Sequence, residues 1–247
     1  MTDAASTDNG APTHVLQVFG PAFGMPDPSP FCMKAMSLLK IANIPFQTAT
    51  GNVLKAPKKK LPVLIENGQA IADTTLIRFH LEHTSGIEFD RGLDDQQRGI
   101  AWAAEKLCED NLYWAAVYER WIVDENFEVG PKTFFNDIPA IARPVIVPII
   151  RRDIRVALKN QGLGRHSREE ILAIARRGID ALAGILGDQD WIGGDQPCGA
   201  DAMVHSMVAN CLSETFETDL RTMVGDHRNL VAYRDRGFAL WYPDFKV

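Results

Sequence analysis

Ser29-Pro30-Phe31-Cys32 is the short stretch of this sequence whose residue types and spacing are best suited to sulfur chemistry. With cysteine in its first position, it would hold an attacking thiol and, three residues on, a second thiol able to form a disulfide with it. Serine occupies that first position, so no internal disulfide can form. Ser29 is a good N-cap and Pro30 suits the first helical position, which predicts that a helix starts here. Any thiol chemistry therefore needs either Cys32 or the sulfur of another molecule.

Cys32 lies one turn inside the predicted helix. It occupies the second of the two cysteine positions of this motif, and the second position is usually more shielded than the first. The activating effect of a helix N-terminus fades beyond the first turn, and free cysteine is among the most buried residue types. We therefore predict a packed, modestly reactive cysteine, with a nucleophilic Cys32 as the alternative. The remaining cysteines, Cys108, Cys198 and Cys211, form no CxxC pair.

The elements around this stretch form a short α/β pattern. Residues 14–20 are apolar and rich in β-formers, which predicts a buried strand, and residues 31–44 carry apolar side chains at helical spacing. A second strand is predicted over residues 44–51. Two more are predicted on either side of Asn67-Gly68, a strong hairpin signal, and the next helix is predicted to end at Gly86. The predicted order is β-α-β-β-β-α.

Only helical patterns follow after residue 93. One long amphipathic helix is predicted over residues 95–127, and a second helical stretch, residues 139–162, is expected to be broken by Pro144 and Pro148. Cys198 stands where a Ser or Thr cap is usual, and Asp201 is expected to bond back to that helix start. Further helices are predicted over residues 167–186, 199–214 and 229–241. The fold class is thus a small α/β domain followed by an all-α domain.

Composition excludes several classes of function. The chain has 247 residues, 46% of them hydrophobic, and a formal net charge of −6 with a pI of about 5.5. An acidic chain argues against general binding to nucleic acid or to anionic membranes, and we predict neither. No apolar run has the length of a membrane anchor. Residues 1–13 lack the pattern of a secretory signal and are predicted to be a disordered tail. The histidines are scattered without zinc-ligand spacing, so we predict no metal site.

The order of these motifs resembles that of the cytosolic glutathione transferases. The match covers nearly the whole chain after residue 14. Four stretches are similar in particular to the failed-axon-connections and metaxin branch of this superfamily: SPFCMKAMSLLKIANIPF, KLPVLIENGQAIADTTLI, NLYWAAVYERW and NLVAYRDR. The resemblance implies a thioredoxin-like, glutathione-binding domain over residues 14–88 and an all-helical domain over residues 94–247.

The resemblance gives several residues a role with glutathione. Ser29 would meet the glutathione sulfur and donate a hydrogen bond to its thiolate, which is the nucleophilic form. The backbone of Leu61, which precedes a cis Pro62, would pair with the cysteinyl part. Asp73 and Thr74, at a helix start, would take the γ-glutamyl amine and carboxylate. Simpler interpretations stay open: N-capping by Ser29, Asp73 or Thr74, and an ordinary strand-initial proline.

The resemblance also implies a pocket for an electrophile between the two domains. Tyr113, Trp114 and Tyr118 lie on the predicted helix that borders this pocket in the family, and they are candidate lining residues. Core packing between helices is the alternative for these aromatic side chains. The lysines of residues 55–60 include a candidate partner for the glycyl carboxylate, with a solvated charge run as the alternative.

We therefore predict a glutathione transferase that binds glutathione as co-substrate and activates its thiol for attack on a small hydrophobic electrophile. The family implies a homodimer, and the lack of an export signal and an anchor leads us to expect a cytoplasmic protein. Two alternatives stay open. One is a non-catalytic interaction protein of the failed-axon-connections and metaxin kind. The other is a glutathione-dependent thiol reductase or peroxidase that uses Cys32.

Overall fold

The computed structural model describes residues 14–245, and the predicted tail, residues 1–13, lies outside the described residues. The first part contains four strands and two helices: β1 (His14–Val18), α1 (Pro30–Ile41), β2 (Gln47–Thr50), β3 (Val63–Glu66), β4 (Gln69–Ala72) and α2 (Thr74–Ser85). The second part is helical: α3 (Asp95–Leu107), α4 (Tyr113–Trp121), α5 (Asp124–Val129), α6 (Arg143–Gln161), α7 (Arg168–Leu186), α8 (Gly199–Cys211), α9 (Asp219–Gly225) and α10 (Arg228–Trp241). The predicted order β-α-β-β-β-α, followed by helices, is confirmed.

The four strands form one mixed sheet with the order β2-β1-β3-β4. Strand β1 pairs in parallel with β2 and antiparallel with β3, and β3 pairs antiparallel with β4. Leu16 of β1 lies opposite Leu64 of β3, and both side chains are fully buried. Strand β2 lies at the edge, and all of its residues are exposed.

The centre of the molecule is the contact between α1 and α8. Every residue of α8 is buried. Helix α1 lies between the sheet and α8, and all of its residues are buried except Phe31, Lys40 and Ile41, which are half-buried. The polar residues of α8 therefore need hydrogen-bond partners inside the protein. The start of α8 is fixed by Asp201, which accepts hydrogen bonds from the backbone N–H groups of Ile192 and Cys198, both at 2.8 Å, and from the Tyr233 hydroxyl at 2.7 Å. The predicted bond from Asp201 back to the helix start is confirmed.

Two local backbone predictions are also confirmed. The Leu61–Pro62 peptide bond is cis. Asn67 and Gly68 link β3 to β4 with φ values of 49° and 82°. A two-residue turn with positive φ at both positions suits the right-handed twist of the strands that it joins.

The prediction of one long helix over residues 95–127 is wrong. Helix α3 is followed by a π-helical turn, Cys108–Leu112, before α4 begins. The helix is interrupted again after Trp121, where α4 ends. The apolar pattern continues across both places, so periodicity alone could not reveal them. The predicted break at Pro144 and Pro148 is wrong as well, because Pro144 lies in the first turn of α6, where no donor is needed, and the helix continues through Pro148.

A group of buried charges joins the sheet side of the molecule to the helical part. Lys34 of α1 is fully buried, and its Nζ lies 2.9 Å from Glu105 Oε1 and 2.5 Å from Glu109 Oε1. Arg78 of α2 donates to Glu105 Oε2 at 3.1 Å and also bonds Asp90. We call these five residues the Lys34 cluster. Each buried cation in it has carboxylates within hydrogen-bond distance, as buried charges require.

Within residues 14–245, none of the helices combines the length and the apolar character that are needed to cross a bilayer. The same residues contain no group of three or more His, Cys, Asp or Glu side chains arranged to hold a metal ion.

Candidate functional site

Ser29 is the N-cap of α1. Its backbone is extended, with φ −93° and ψ 120°, and its Oγ accepts a hydrogen bond from the backbone N–H of Cys32 at 3.4 Å. The residue is only partly buried. Because this bond uses a lone pair of Oγ, the hydroxyl proton remains free to be donated to an anion in front of the helix.

Asp27, two residues before Ser29, is fully buried at the same helix start. Its carboxylate accepts hydrogen bonds from the backbone N–H groups of Phe19, Gly20 and Ser29, each at 2.9 Å. Burial raises the pKa of Asp27 to about 6, even though these bonds favour the ionised form. Asp27 therefore ties the loop after β1 to the start of α1 and places a negative charge there near neutral pH.

Cys32 is fully buried, one turn inside α1. Burial, together with the nearby Asp27 carboxylate, raises the pKa of its thiol well above the ordinary range. A thiol held in its protonated form is a poor nucleophile. The surroundings of Cys32 thus favour the packed cysteine of the sequence analysis over the reactive alternative.

The register of the sheet brings the other predicted glutathione residues to the same end of the molecule. Val63, which follows the cis Pro62, pairs with Gln17 near the end of β1 and with Ala72 at the end of β4. The loop that leaves β1 leads to Ser29, and the residue after Ala72 is Asp73. Ser29, the Leu61–Pro62 bond and the Asp73–Thr74 pair therefore lie at the same end of the strands, where β1 and β4 end and β3 begins.

Asp73 is the N-cap of α2. Its carboxylate accepts hydrogen bonds from the backbone N–H groups of Thr75 at 2.9 Å and Leu76 at 3.4 Å. Asp73 itself is exposed, whereas Thr74 is buried. The φ of Asp73 is +93°, a conformation that is strained for a residue with a side chain. Such strain persists only where the surroundings hold it, and it occurs often at ligand sites.

Of the three candidate pocket aromatics, Tyr113 is the one that meets the start of α1. Its ring contacts that of Phe31 edge-on, with 4.8 Å between centroids, and it also contacts Trp114 at 5.4 Å. Burial raises the pKa of its hydroxyl, and that hydroxyl has no hydrogen-bond partner within residues 14–245. Tyr118 packs against the core, and no ring contact within the described residues joins it to this site.

Arg120 extends from α4 to the same place. Its Nη1 donates to the Asn210 side-chain oxygen at 2.9 Å and, at 3.4 Å, to the carbonyl of Pro28, the residue before Ser29. Its Nη2 donates to the Asn210 carbonyl at 2.5 Å, and the guanidinium carbon lies 4.5 Å from the centroid of Phe216. Burial lowers the pKa of Arg120 to about 10.

Four phenylalanines form an apolar surface beside the loop between β1 and α1. Phe23 contacts Phe134 and Phe216, in each case with 5.1 Å between ring centroids, and Phe19 stacks on Phe134 at 6.5 Å. The carbonyl of Phe23 accepts a hydrogen bond from the Ser213 hydroxyl at 2.7 Å, which holds the loop against the end of α8. Phe19 and Phe134 are each 43% exposed, so this phenylalanine cluster is open to a ligand.

Two family descriptions match this chain. Residues 30–127 match the glutathione S-transferase N-terminal domain, and residues 175–237 match the glutathione S-transferase C-terminal domain. Together the two matched regions cover more than half of the chain. The chain belongs to the glutathione S-transferase family. The resemblance stated from the sequence is confirmed, and so is the fold class that it implied.

Curated relatives of this member of the family include an enzyme and proteins of other kinds. Isoprene-epoxide–glutathione S-transferase of a Rhodococcus species is 29% identical over 90% of this chain and 97% of its own length. The failed axon connections protein of Drosophila melanogaster is 24% identical over 90% of this chain, which spans 56% of that protein. The mitochondrial outer membrane import complex protein metaxin of Arabidopsis thaliana is 24% identical over 93% of this chain and 73% of its own length.

Solved glutathione S-transferases share the fold. The enzyme of Methylobacterium radiotolerans, solved in complex with glutathione sulfonate, superposes with a TM-score of 0.60 at 21% identity. The alignment covers 94% of this chain and 93% of that one. At this identity the likeness establishes the architecture alone.

Three parts of the site in this glutathione S-transferase were not predicted from its sequence. They are Asp27, Arg120 and the phenylalanine cluster. Asp27 lies between two prolines, which indicates only a loop. The amphipathic pattern around Arg120 indicates a residue on the surface of a helix. The partners of Arg120 lie 92 and 90 residues away along the chain, so no local pattern carries this information.

Proposed function

We propose that this protein binds glutathione and activates its thiol for attack on an apolar electrophile. The observation that carries the proposal is the convergence, at one end of the strands, of a free serine hydroxyl, a cis Leu61–Pro62 bond and the capped start of α2. Ser29 would face the sulfur, Leu61 the cysteinyl backbone, and Asp73 with Thr74 the γ-glutamyl end. Relatives and solved structures that act on or contain glutathione support this assignment.

The chemistry needs no group beyond the two substrates. The glutathione thiol loses its proton to solvent, and Ser29 donates a hydrogen bond to the resulting thiolate. The sulfur electron pair then forms a C–S bond to the electrophilic carbon. The electron pair of the bond that breaks leaves with the displaced group or, in a strained ring, stays on the ring heteroatom, which takes up a proton.

The phenylalanine cluster supports an apolar electrophile. It lies beside the loop that carries Ser29, and its exposed rings bury apolar surface when a ligand covers them. Tyr113 adjoins the same helix start and adds a hydroxyl donor without a partner in residues 14–245. We propose this surface as the electrophile site.

Glutathione binding measured by calorimetry tests the proposal. We expect the wild-type protein to bind with a dissociation constant of about 1 μM to 1 mM, the usual range for enzyme substrates, and Thr74→Ala to lose this binding. Thr84→Ala is the matched control, because Thr84 lies in the same helix but its hydroxyl only bonds the carbonyl of His80. A folded wild-type protein that does not bind glutathione would contradict the proposal.

A non-catalytic interaction protein is the second candidate, favoured by the similarity to metaxin, a mitochondrial outer membrane import complex protein. The interaction-protein candidate predicts that glutathione does not bind to this protein and that the protein is recovered with a protein partner. A thiol reductase is disfavoured by the burial of Cys32. Reductase activity would be lost in Cys32→Ser and kept in Ser29→Ala, whereas the transferase predicts the reverse.

The oligomeric state and the cellular location are further proposals from the family and from the sequence. We propose a homodimer, which sedimentation of the purified chain would show as twice the 27.4 kDa monomer mass. We also propose a cytoplasmic location, which fractionation of cells that express the full chain would test.

A further inference from the structure

Arg120 is a cation that forms no ion pair with an acidic side chain within residues 14–245. Within the described residues, the hydrogen bonds of its guanidinium go to the Pro28 and Asn210 carbonyls and to the Asn210 amide oxygen. The ionisable groups that act on it there are Cys211 and Tyr113, and neither is a carboxylate. Carbonyl dipoles and the face of Phe216 stabilise a cation, but they leave its net charge in place.

The position of this charge is defined by its contacts. The guanidinium bonds the carbonyl of Pro28, and consecutive Cα atoms lie about 3.8 Å apart, so the cation lies within one residue of Ser29. Tyr113 lies seven residues before Arg120 on the same face of α4. Its ring contacts that of Phe31 in the first turn of α1, with 4.8 Å between the ring centroids. Ser29, Tyr113 and Arg120 therefore surround one small region in front of α1.

We propose that Arg120 is a further functional residue of this site: its positive charge stabilises the thiolate of glutathione bound at Ser29. This inference rests on the proposed function. It also gives this half-buried cation a ligand, since an anionic sulfur supplies the negative charge that the described residues do not place there.

The helix start alone is a weak anion site here because Asp27 already occupies it. Asp27 takes the Ser29 N–H and carries negative charge above pH of about 6, which opposes a second anion nearby. The groups that face the thiolate are then Asp27 from the loop after β1, Cys32 from α1, Tyr113 and Arg120 from α4, and Cys211 from α8. Arg120 is the cation among them, so it is the group whose charge favours the thiolate.

The test measures the pKa of the glutathione thiol in its complex with the full chain, by titrating the ultraviolet absorbance of the thiolate. Arg120→Met and Arg120→Gln remove the charge, and the second retains a hydrogen-bond donor toward Asn210. Arg120→Lys retains the charge. Arg228→Met is the matched control, because Arg228 is exposed. Arg228 is the first residue of α10, and Tyr242 caps the other end of that helix. Circular dichroism and thermal unfolding identify the variants that fold.

We expect the bound thiol pKa to rise by about one unit in the two neutral variants, the lower end of the effect of an adjacent opposite charge. Arg120→Lys and Arg228→Met should titrate close to the wild-type protein. Binding of S-methylglutathione, which has no thiol to ionise, should be nearly unchanged in every variant. A purely structural Arg120 would instead weaken S-methylglutathione binding and leave the thiol pKa alone.

The outcomes separate this inference from the function on which it rests. If the wild-type protein binds glutathione but a folded neutral variant shows the wild-type thiol pKa, the role of Arg120 is overturned and the proposed function stands. If the wild-type protein does not bind glutathione, both fail together. If Arg120→Met does not fold, Arg120→Gln decides the question; if neither neutral variant folds, Arg120 is a structural residue and the inference is overturned.

Discussion

The buried cation of α1 and the half-buried cation of α4 have opposite surroundings. Lys34 on α1 is fully buried and lies within 3.0 Å of two carboxylates, Glu105 and Glu109. Glu105 also pairs with Arg78 of the Lys34 cluster, and Glu109 pairs with Lys106 outside it. Arg120 on α4 contacts carbonyl oxygens and an aromatic face, and no carboxylate within residues 14–245 pairs with it.

The difference separates a charge that maintains the fold from one that is available to a ligand. A buried cation with matched carboxylates is internally neutral, and removing it leaves carboxylates uncompensated, which is costly. A cation whose partners are only dipoles keeps its net positive charge. Replacing that cation with a neutral residue also removes the free-energy cost of desolvating the charge. The two sites are therefore expected to respond differently to loss of charge.

The largest expected effect is on stability, at the Lys34 cluster. Lys34→Met should lower the free energy of unfolding by about 3–5 kcal/mol, the usual cost of breaking a buried ion pair by removing one partner. Urea denaturation of the purified protein measures this change. Lys132→Met is the matched control, because Lys132 and Glu128 form an exposed pair on the surface. That control should cost less than about 1 kcal/mol, and a similar loss in both variants would contradict the contrast drawn here.

Asp27 extends the comparison to a buried anion that forms no ion pair with a cation in the part of the chain that the structure describes. Its pKa in the folded state is about 6, above the value of 3.8 for the free side chain. Between these values the folded state holds a proton that the unfolded state has released, so stability falls as pH rises through this window. The loss is about 3 kcal/mol, at 1.36 kcal/mol for each unit of pKa.

Asp27→Asn removes the titration, because the amide cannot ionise. Its NH2 group cannot accept the hydrogen bonds of one carboxylate oxygen, but this loss is the same at every pH, so the pH-dependent part of the difference reports on Asp27. The unfolding free energy of the wild-type protein relative to Asp27→Asn should fall between pH 4 and pH 7 and then level off. A difference that stays constant across this range would show that Asp27 does not titrate as its burial implies.

The local part of this structure could be predicted from the sequence. The strands, the Asn67-Gly68 turn, and the caps at Ser29 and Asp73 depend on residues that are close in the chain, and such residues show their preferences directly. The cis bond before Pro62 came from the family resemblance, since cis bonds are rare even before proline.

The charged part could not be predicted in this way. Lys34 lies 71 residues from Glu105, and Arg120 lies 92 residues from Pro28, so each pairing exists only after the helices have packed. The π-helical turn Cys108–Leu112 could not be predicted for a related reason. An inserted residue in a helix leaves the apolar pattern on both sides intact, and only the structure shows the shift.

Arg120→Met provides the direct counterpart of Lys34→Met. We expect the free energy of unfolding to fall by only about 1–2 kcal/mol, because the lost hydrogen bonds to Asn210 are partly offset by the removal of a desolvated charge. Urea denaturation of both variants under the same conditions gives the ratio of the two losses. Equal losses would mean that Arg120 is as firmly balanced as Lys34, by a partner that its contacts do not reveal.

Ser29→Ala is expected to have the smallest effect on stability and to separate cap from function. The variant loses the bond to the Cys32 N–H, and a lost N-cap typically costs about 1 kcal/mol. Ser29→Thr retains a hydroxyl cap and serves as the control. If Ser29 acts on the thiolate as well, Ser29→Ala should raise the pKa of bound glutathione in addition to any rise from Arg120→Met, since the two groups act on the sulfur from α1 and from α4. A loss of stability with an unchanged thiol pKa would leave Ser29 as a helix cap alone and shift thiol activation to Arg120.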